Sequence, residues 1–145
     1  MFHKIRSVTP LPDYILCVQF AEGVTKLYDF NMLIKQYPAF SMEQDLFKNV
    51  EVDNGGYGIS WNDDIDLSCD ELWENGKRIQ NPFDGLISMR DATNLWNLNE
   101  STLRKSISYG KLVNGIDVCK YGKQWVISVD ALIREYGVPD TNNRQ

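Results

Sequence analysis

The chain has 145 residues, 43% hydrophobic and 12% aromatic, which is enough apolar mass for one ordinary core or two small ones and too much for a disordered segment. Its 15 Lys+Arg stand against 20 Asp+Glu, a formal net charge of −5. A single histidine argues against imidazole-based nucleophilic schemes and two-His zinc sites, and the 3 cysteines have no short ligand spacing.

No stretch approaches the roughly 18 apolar residues of a membrane span; YILCVQF at 14–20 is the longest dense run. The opening MFHKIRSVTP lacks an apolar signal region, so a cytoplasmic location away from membranes is expected. Cys17, Cys69 and Cys119 are expected to be reduced, mostly packed thiols.

In chain order, HKIRSV at 3–8 reads as a strand with His3 exposed on it, ended by the prolines of TPLPD. YILCVQF alternates, placing Tyr14, Leu16, Val18 and Phe20 on a buried face and Ile15, Cys17 and Gln19 on the other. Ala21-Glu22-Gly23 makes a tight turn, and VTKLYDF at 24–30 returns as the second arm of a hairpin. Asp29 or Asn31 can cap a short helix that Pro38 terminates, and Ser41 another through EQDLFK. A strand at 50–53 leads through Asn54-Gly55, a strong hairpin signal, into GISW at 58–61.

SCDELWENG at 68–76 closes this half, with Ser68 and Glu71 at capping-box spacing and Gly76 as a left-handed stop. NGGYG at 54–58 lacks the following Lys-Ser/Thr of a phosphate-cradling loop and reads as a turn. NDDIDLSCDE at 62–71 clusters carboxylates as a calcium loop does. Cys69 falls where that loop needs glycine and Asn75 where it needs a bidentate Glu, so a solvated acidic loop is the better reading.

NGKRIQNPFDGL at 75–86 is punctuated by Gly76, Pro82 and Gly85 and is expected to separate two domains, 1–80 and 83–140. Charge divides at the same place. Residues 1–80 carry 7 basic against 13 acidic side chains, and residues 81–145 carry 8 against 7.

After the boundary, Ser88 with Asp91 starts a helix in which Ala92, Leu95 and Trp96 share one face. Asn97-Leu98 makes a short turn, and Asn99 or Ser101 caps the next helix. There Leu103 and Ile107 point inward while Ser101, Arg104, Lys105 and Ser108 face outward. Gly110 stops it. IDVCK at 116–120 and QWVIS at 124–128 flank Tyr121-Gly122-Lys123 as a two-stranded hairpin. Ser128 caps a last helix with Val129, Leu132, Ile133 and Tyr136 on its stripe, closed by Gly137 and Pro139. Trp96 and Trp125 each fall on an apolar stripe and are assigned to core.

PLPDYILCVQFAEGVTKLYDF, followed by WNDDIDLS, resembles the bacterial domain of unknown function 2442 family over about residues 4–76. That resemblance implies no established activity; members of this kind are suspected antitoxin-like or regulatory partners. ATNLWNLNESTLRKSISYGKL and GKQWVISVDAL resemble excisionase-like and MerR-like winged helix-turn-helix domains over about 86–136. Carried to matching positions, that resemblance implies major-groove contact by Ser101, Thr102, Arg104, Lys105 and Ser108. It implies phosphate or minor-groove contact by Lys111, Lys120, Tyr121 and Lys123.

The expected class is α+β: a small hairpin-rich α+β domain followed by a mainly α winged helix-turn-helix domain. The expected role is a non-enzymatic regulator or accessory protein, without cofactor or metal, that binds double-stranded DNA. Its acidic half would bind a protein partner, form a homodimer or cover the basic helix. The alternative is an antitoxin-like interaction module that never touches DNA. Glu100, Asp91 and Asp117 lie near the proposed face, so one copy is expected to bind weakly.

Overall fold

In the computed structural model, which describes residues 2–139, the alternation around Leu16 builds a sheet as its period requires. Strands β1 (Ile5–Leu11), β2 (Ile15–Phe20) and β3 (Thr25–Asp29) pair antiparallel, with Leu16, Val18 and Phe20 fully buried and Ile15, Cys17 and Gln19 half-buried. The β1–β2 turn departs from the expected strand at Tyr14, since Asp13 and Tyr14 both take positive φ, 66° and 60°. The Tyr14 hydroxyl donates to the Met42 carbonyl at 2.9 Å, and its ring packs 4.9 Å from that of Phe47, which holds the unfavourable backbone in place.

Helix α1 (Phe30–Gln36) is capped by Asp29, whose carboxylate accepts from the Asn31 N–H at 3.0 Å. Helix α2 (Gln44–Phe47) starts after Glu43, not at Ser41, and has no side-chain cap. Strands β4 (Glu51–Val52), β5 (Gly58–Ser60) and β6 (Asp66–Ser68) form a second sheet in that order. Gly56 is required where this sheet approaches the first: a Cβ there would lie 2.6 Å from the Ile5 carbonyl oxygen.

Helix α3 (Cys69–Asn75) is capped by Ser68, which accepts from the Glu71 N–H at 3.1 Å. The other half of the expected capping box is absent. Glu71 instead accepts from the Tyr28 hydroxyl at 2.8 Å and the Asn75 amide at 2.9 Å. Gly76 is extended (φ −78°, ψ 150°), not left-handed, because the chain passes straight into β7 (Lys77–Ile79). This strand lies inside the stretch read as a linker and pairs with the outer edge of β3, Lys26 opposite Arg78, giving the order β1-β2-β3-β7.

His3 does not take the exposed strand position expected of it. It precedes β1 and is not exposed: its ring stacks on Trp73, centroids 3.6 Å apart and planes 3° apart, with Nδ1 2.7 Å from Oε2 of Glu22.

The chain divides into two compact units, Phe2–Pro82 and Phe83 onward. The first is built around Leu16, Phe20, Phe30, Ile59 and Leu72, and burying each such side chain stabilises by about 1.5–3 kcal/mol.

The second unit contains β8 (Leu86–Ser88), α4 (Met89–Trp96), α5 (Glu100–Ser108), β9 (Val118–Tyr121), β10 (Gln124–Ser128) and α6 (Val129–Tyr136). Ser88 caps α4 through the Asp91 N–H and Ser128 caps α6 through the Ala131 N–H, at 3.1 and 3.3 Å. Asn97 ends α4 in the left-handed region, φ 53° and ψ 47°, which turns the chain into α5. The predicted two-stranded hairpin has a third strand: β8 pairs with β10, Ile87 opposite Ile127, in the order β8-β10-β9. Ile87, Ala92, Leu103, Leu112, Ile127 and Leu132 form the core, and the Trp96 indole N–H donates to the Gly137 carbonyl at 2.6 Å. The last helix buries Ala131 and Leu132, whereas Ile133, assigned to its inward stripe, is 38% exposed. The chain is a mixed α+β protein.

Candidate nucleic-acid interface

Helix α5 sorts its side chains by spacing. Leu103 and Ser106, three apart, are buried and Ile107 is half-buried, whereas Ser101, Arg104, Lys105 and Ser108 are exposed and Thr102 is intermediate. Ser106 was not anticipated as an inward residue. Its hydroxyl shares a hydrogen bond with that of Tyr136, and its offset of three from Leu103 was the available signal. Two hydroxyls thus satisfy each other where an apolar pair would be expected.

Arg104 is engaged. Its Nη2 donates to Oε1 of Glu100 at 2.8 Å, one helical turn back, with both side chains more than half exposed. An exposed pair of this kind contributes about 0.3–0.5 kcal/mol, so a bidentate acceptor such as guanine can displace it. Glu100 also sits in the first turn of α5, where the helix dipole favours a negative charge.

Beyond α5, Tyr109 is 79% exposed, Lys111 is exposed and Leu112 returns to the core. The segment that follows is fixed by Asp117, which was expected near the contact face and is instead buried. Its carboxylate accepts from the Val113 N–H at 2.8 Å and from both Nη1 and Nη2 of Arg134. The Arg134 guanidinium, then the Val113 N–H, hold the Asp117 carboxyl below the usual carboxylate range, and burial opposes them. Arg134 also donates to the Lys111 carbonyl at 3.1 Å, and its own pKa is raised chiefly by Asp117. Asp117 is therefore a structural anchor with its charge compensated.

Strands β9 and β10 present Lys120, Tyr121 and Lys123, all exposed, about a turn at Gly122, whose φ of 62° suits glycine. The Lys120 Nζ lies 5.5 Å from the Trp125 ring centroid. Trp125 is half-buried and not wholly core, and its ring gives that lysine a seat. The nine proposed contact residues fall on two stretches, α5 with its following turn and the β9–β10 hairpin.

In the first unit, the acidic stretch is closed by Asn62, whose Oδ1 accepts from the N–H groups of Asp64 and Ile65 at 2.8 and 2.9 Å. Among the described residues no group of three or more His, Cys, Asp or Glu side chains is placed to hold a metal ion. Likewise, among them no helix is long and apolar enough to cross a membrane.

These features define a two-unit α+β protein whose second unit exposes hydroxyl and cationic side chains on one helix and one hairpin. The chain belongs to the family described as "Protein of unknown function (DUF2442)", whose family model matches residues 5–78. No curated protein and no solved structure matches it.

Proposed function

We propose that the chain is a cytoplasmic, non-enzymatic DNA-binding regulator or accessory protein, in which residues 83–140 act as a winged helix-turn-helix. The first unit would bind a protein partner or form a homodimer. One observation carries this reading: Ser101, Arg104, Lys105 and Ser108 are exposed together on α5 while Leu103 and Ser106 are buried beneath them. The order α4, left-handed turn at Asn97, α5 and hairpin supports it, as does the excisionase-like and MerR-like sequence resemblance.

In this reading Arg104 leaves Glu100 for guanine O6 and N7, and the exposed hydroxyls of α5 reach phosphates or base edges. Lys111, Lys120 and Lys123 neutralise phosphates, and Tyr121 contacts the backbone or minor groove. Affinity per copy is low because the charge of this half is close to balanced, 8 basic against 7 acidic side chains over 81–145, so two copies on paired half-sites or a helper protein are required.

The test is a salt titration of the full chain on duplex DNA carrying a selected site. A binder using three to five cations has a log–log slope of about −3 to −5. Arg104→Ala costs about 1–3 kcal/mol at one base position, and Lys123→Ala weakens all sequences alike. If both variants retain DNA equally and a protein partner is lost, the reading fails.

A second reading, an antitoxin-like docking module, is favoured by Tyr109 and Ile116, large apolar side chains each 79% exposed just beyond α5.

A further inference from the structure

The first unit contains a groove of about 540 Å3 between α1 and α3, within the range that accommodates small ligands. Met32 lines it from α1 and Tyr37 from the position just after that helix, Glu71 and Asn75 from α3, and Tyr28 and Asp29 from the end of β3. Its lining holds two carboxylates and no Lys, Arg or His, so its potential is negative.

The Glu71 carboxylate is fixed in place. The Tyr28 hydroxyl and the Asn75 amide both donate to its Oε2, at 2.8 and 2.9 Å, which leaves the lone pairs of Oε1 for a ligand donor. Tyr28 is only 4% exposed, and burial and Glu71 together raise its pKa, so its proton stays and the bond persists. Met32 and Tyr37, by contrast, are 63% and 52% exposed: a thioether and a phenol ring beside a carboxylate pocket. A ring face and a fixed carboxylate together favour a weakly hydrated organic cation over an inorganic one. With only two carboxylates, the groove lacks the oxygen set a calcium ion requires.

We propose that this groove binds a small organic cation, a guanidinium on a short alkyl chain. Its charged head bonds to Glu71 and Asp29 and its face lies against Tyr37. The site is independent of the DNA-binding reading and stands or falls separately.

The experiment is an amide-resolved NMR titration of the isotope-labelled full chain with n-butylguanidinium and, separately, with its neutral isostere n-butylurea. Saturable shifts confined to the amides of Met32, Tyr37, Glu71 and Asn75 and their neighbours are expected with the cation and not with the urea. Tyr37→Ala weakens binding about 2- to 5-fold through loss of the ring face. Glu71→Gln weakens it further. Tyr37 is exposed, so its variant decides the matter even if Glu71→Gln does not fold. Equal responses to cation and urea, shifts scattered over the chain, no response at tens of millimolar, or unchanged affinity in Tyr37→Ala would each overturn the proposal.

Discussion

Arg134 grips both carboxylate oxygens of buried Asp117, at 3.1 and 2.9 Å, while Asp117 also accepts from the Val113 backbone. This bond set joins α6 to the segment that links α5 to β9. Asp117→Ala leaves the Val113 N–H without its acceptor and is expected to cost about 1–3 kcal/mol. The same link predicts a pH dependence. The Asp117 carboxyl titrates below its unfolded value of about 3.9, so its contribution is complete above that pH. It ebbs as the pH drops below the unfolded value and is gone once the pH falls through the depressed folded value. Urea denaturation between neutral pH and pH 3 should therefore show a smaller acid-induced loss in Asp117→Asn than in the parent.

Leu103 is fully buried beneath the exposed face of α5, and Lys105 stands exposed two residues on. Leu103→Ala is expected to cost about 2–5 kcal/mol. Lys105→Ala should remain within about 0.5 kcal/mol. Denaturant midpoints check both. A Lys105→Ala variant as unstable as Leu103→Ala would mean that the helix packs the other way round.

Glu100 holds Arg104 at 2.8 Å. If α5 reads DNA, Glu100→Gln releases the guanidinium and removes a charge that repels phosphate. Its stability should fall by about 0.3–0.5 kcal/mol while duplex affinity at low salt rises several-fold. Fluorescence anisotropy with parent and variant decides it, and weaker binding by Glu100→Gln would show that the carboxylate itself contacts the site.

Cys119 is exposed on β9, whereas Cys17 is half-buried and Cys69 buried, and burial raises the thiol pKa of both. Native protein is expected to show one fast-reacting thiol toward an aromatic disulfide reagent, lost in Cys119→Ser. Because Cys119 precedes Lys120 in the proposed hairpin contact, duplex DNA should slow that phase. An unchanged rate at saturating DNA would take the hairpin out of the interface.

Asp13 occupies the left-handed region at φ 66° and ψ 29°, a conformation that costs an ordinary residue about 1–2 kcal/mol. Asp13→Gly removes that strain but adds freedom to the unfolded chain, for an expected gain of up to about 1 kcal/mol. Thermal unfolding would reveal it, and a lower midpoint would mean the aspartate side chain contributes more than its backbone costs.

What was legible in the sequence was what local spacing controls. The alternation of Leu16, Val18 and Phe20, the serine caps at Ser68, Ser88 and Ser128, and the outward placement of Arg104 and Lys105 follow from periods of 2 and 3.6 and from hydroxyl chemistry. Distant partners set the rest. Strands β7 and β8 are three residues each, too short to alternate, and exist because β3 and β10 have edges to fill. Glu71 satisfies local capping spacing, yet it turns to Tyr28, 43 positions away. Asp117 reads as a surface acid until Arg134 is brought beside it, and His3 reads as exposed until Trp73 is. The exposure of Ser101, Arg104, Lys105 and Ser108 was thus readable, whereas the Arg104–Glu100 tie and the anchor behind the loop depend on which side chains meet.

The pairing of Lys77–Ile79 with β3 has a practical consequence for cutting the gene into pieces. A fragment ending at Asn75, where α3 stops, would strip the rim of that sheet and bare the N–H and C=O groups of Thr25–Leu27 to neighbouring molecules. Such a truncation should aggregate, whereas one carried past Ile79 keeps its border strand and should stay dispersed.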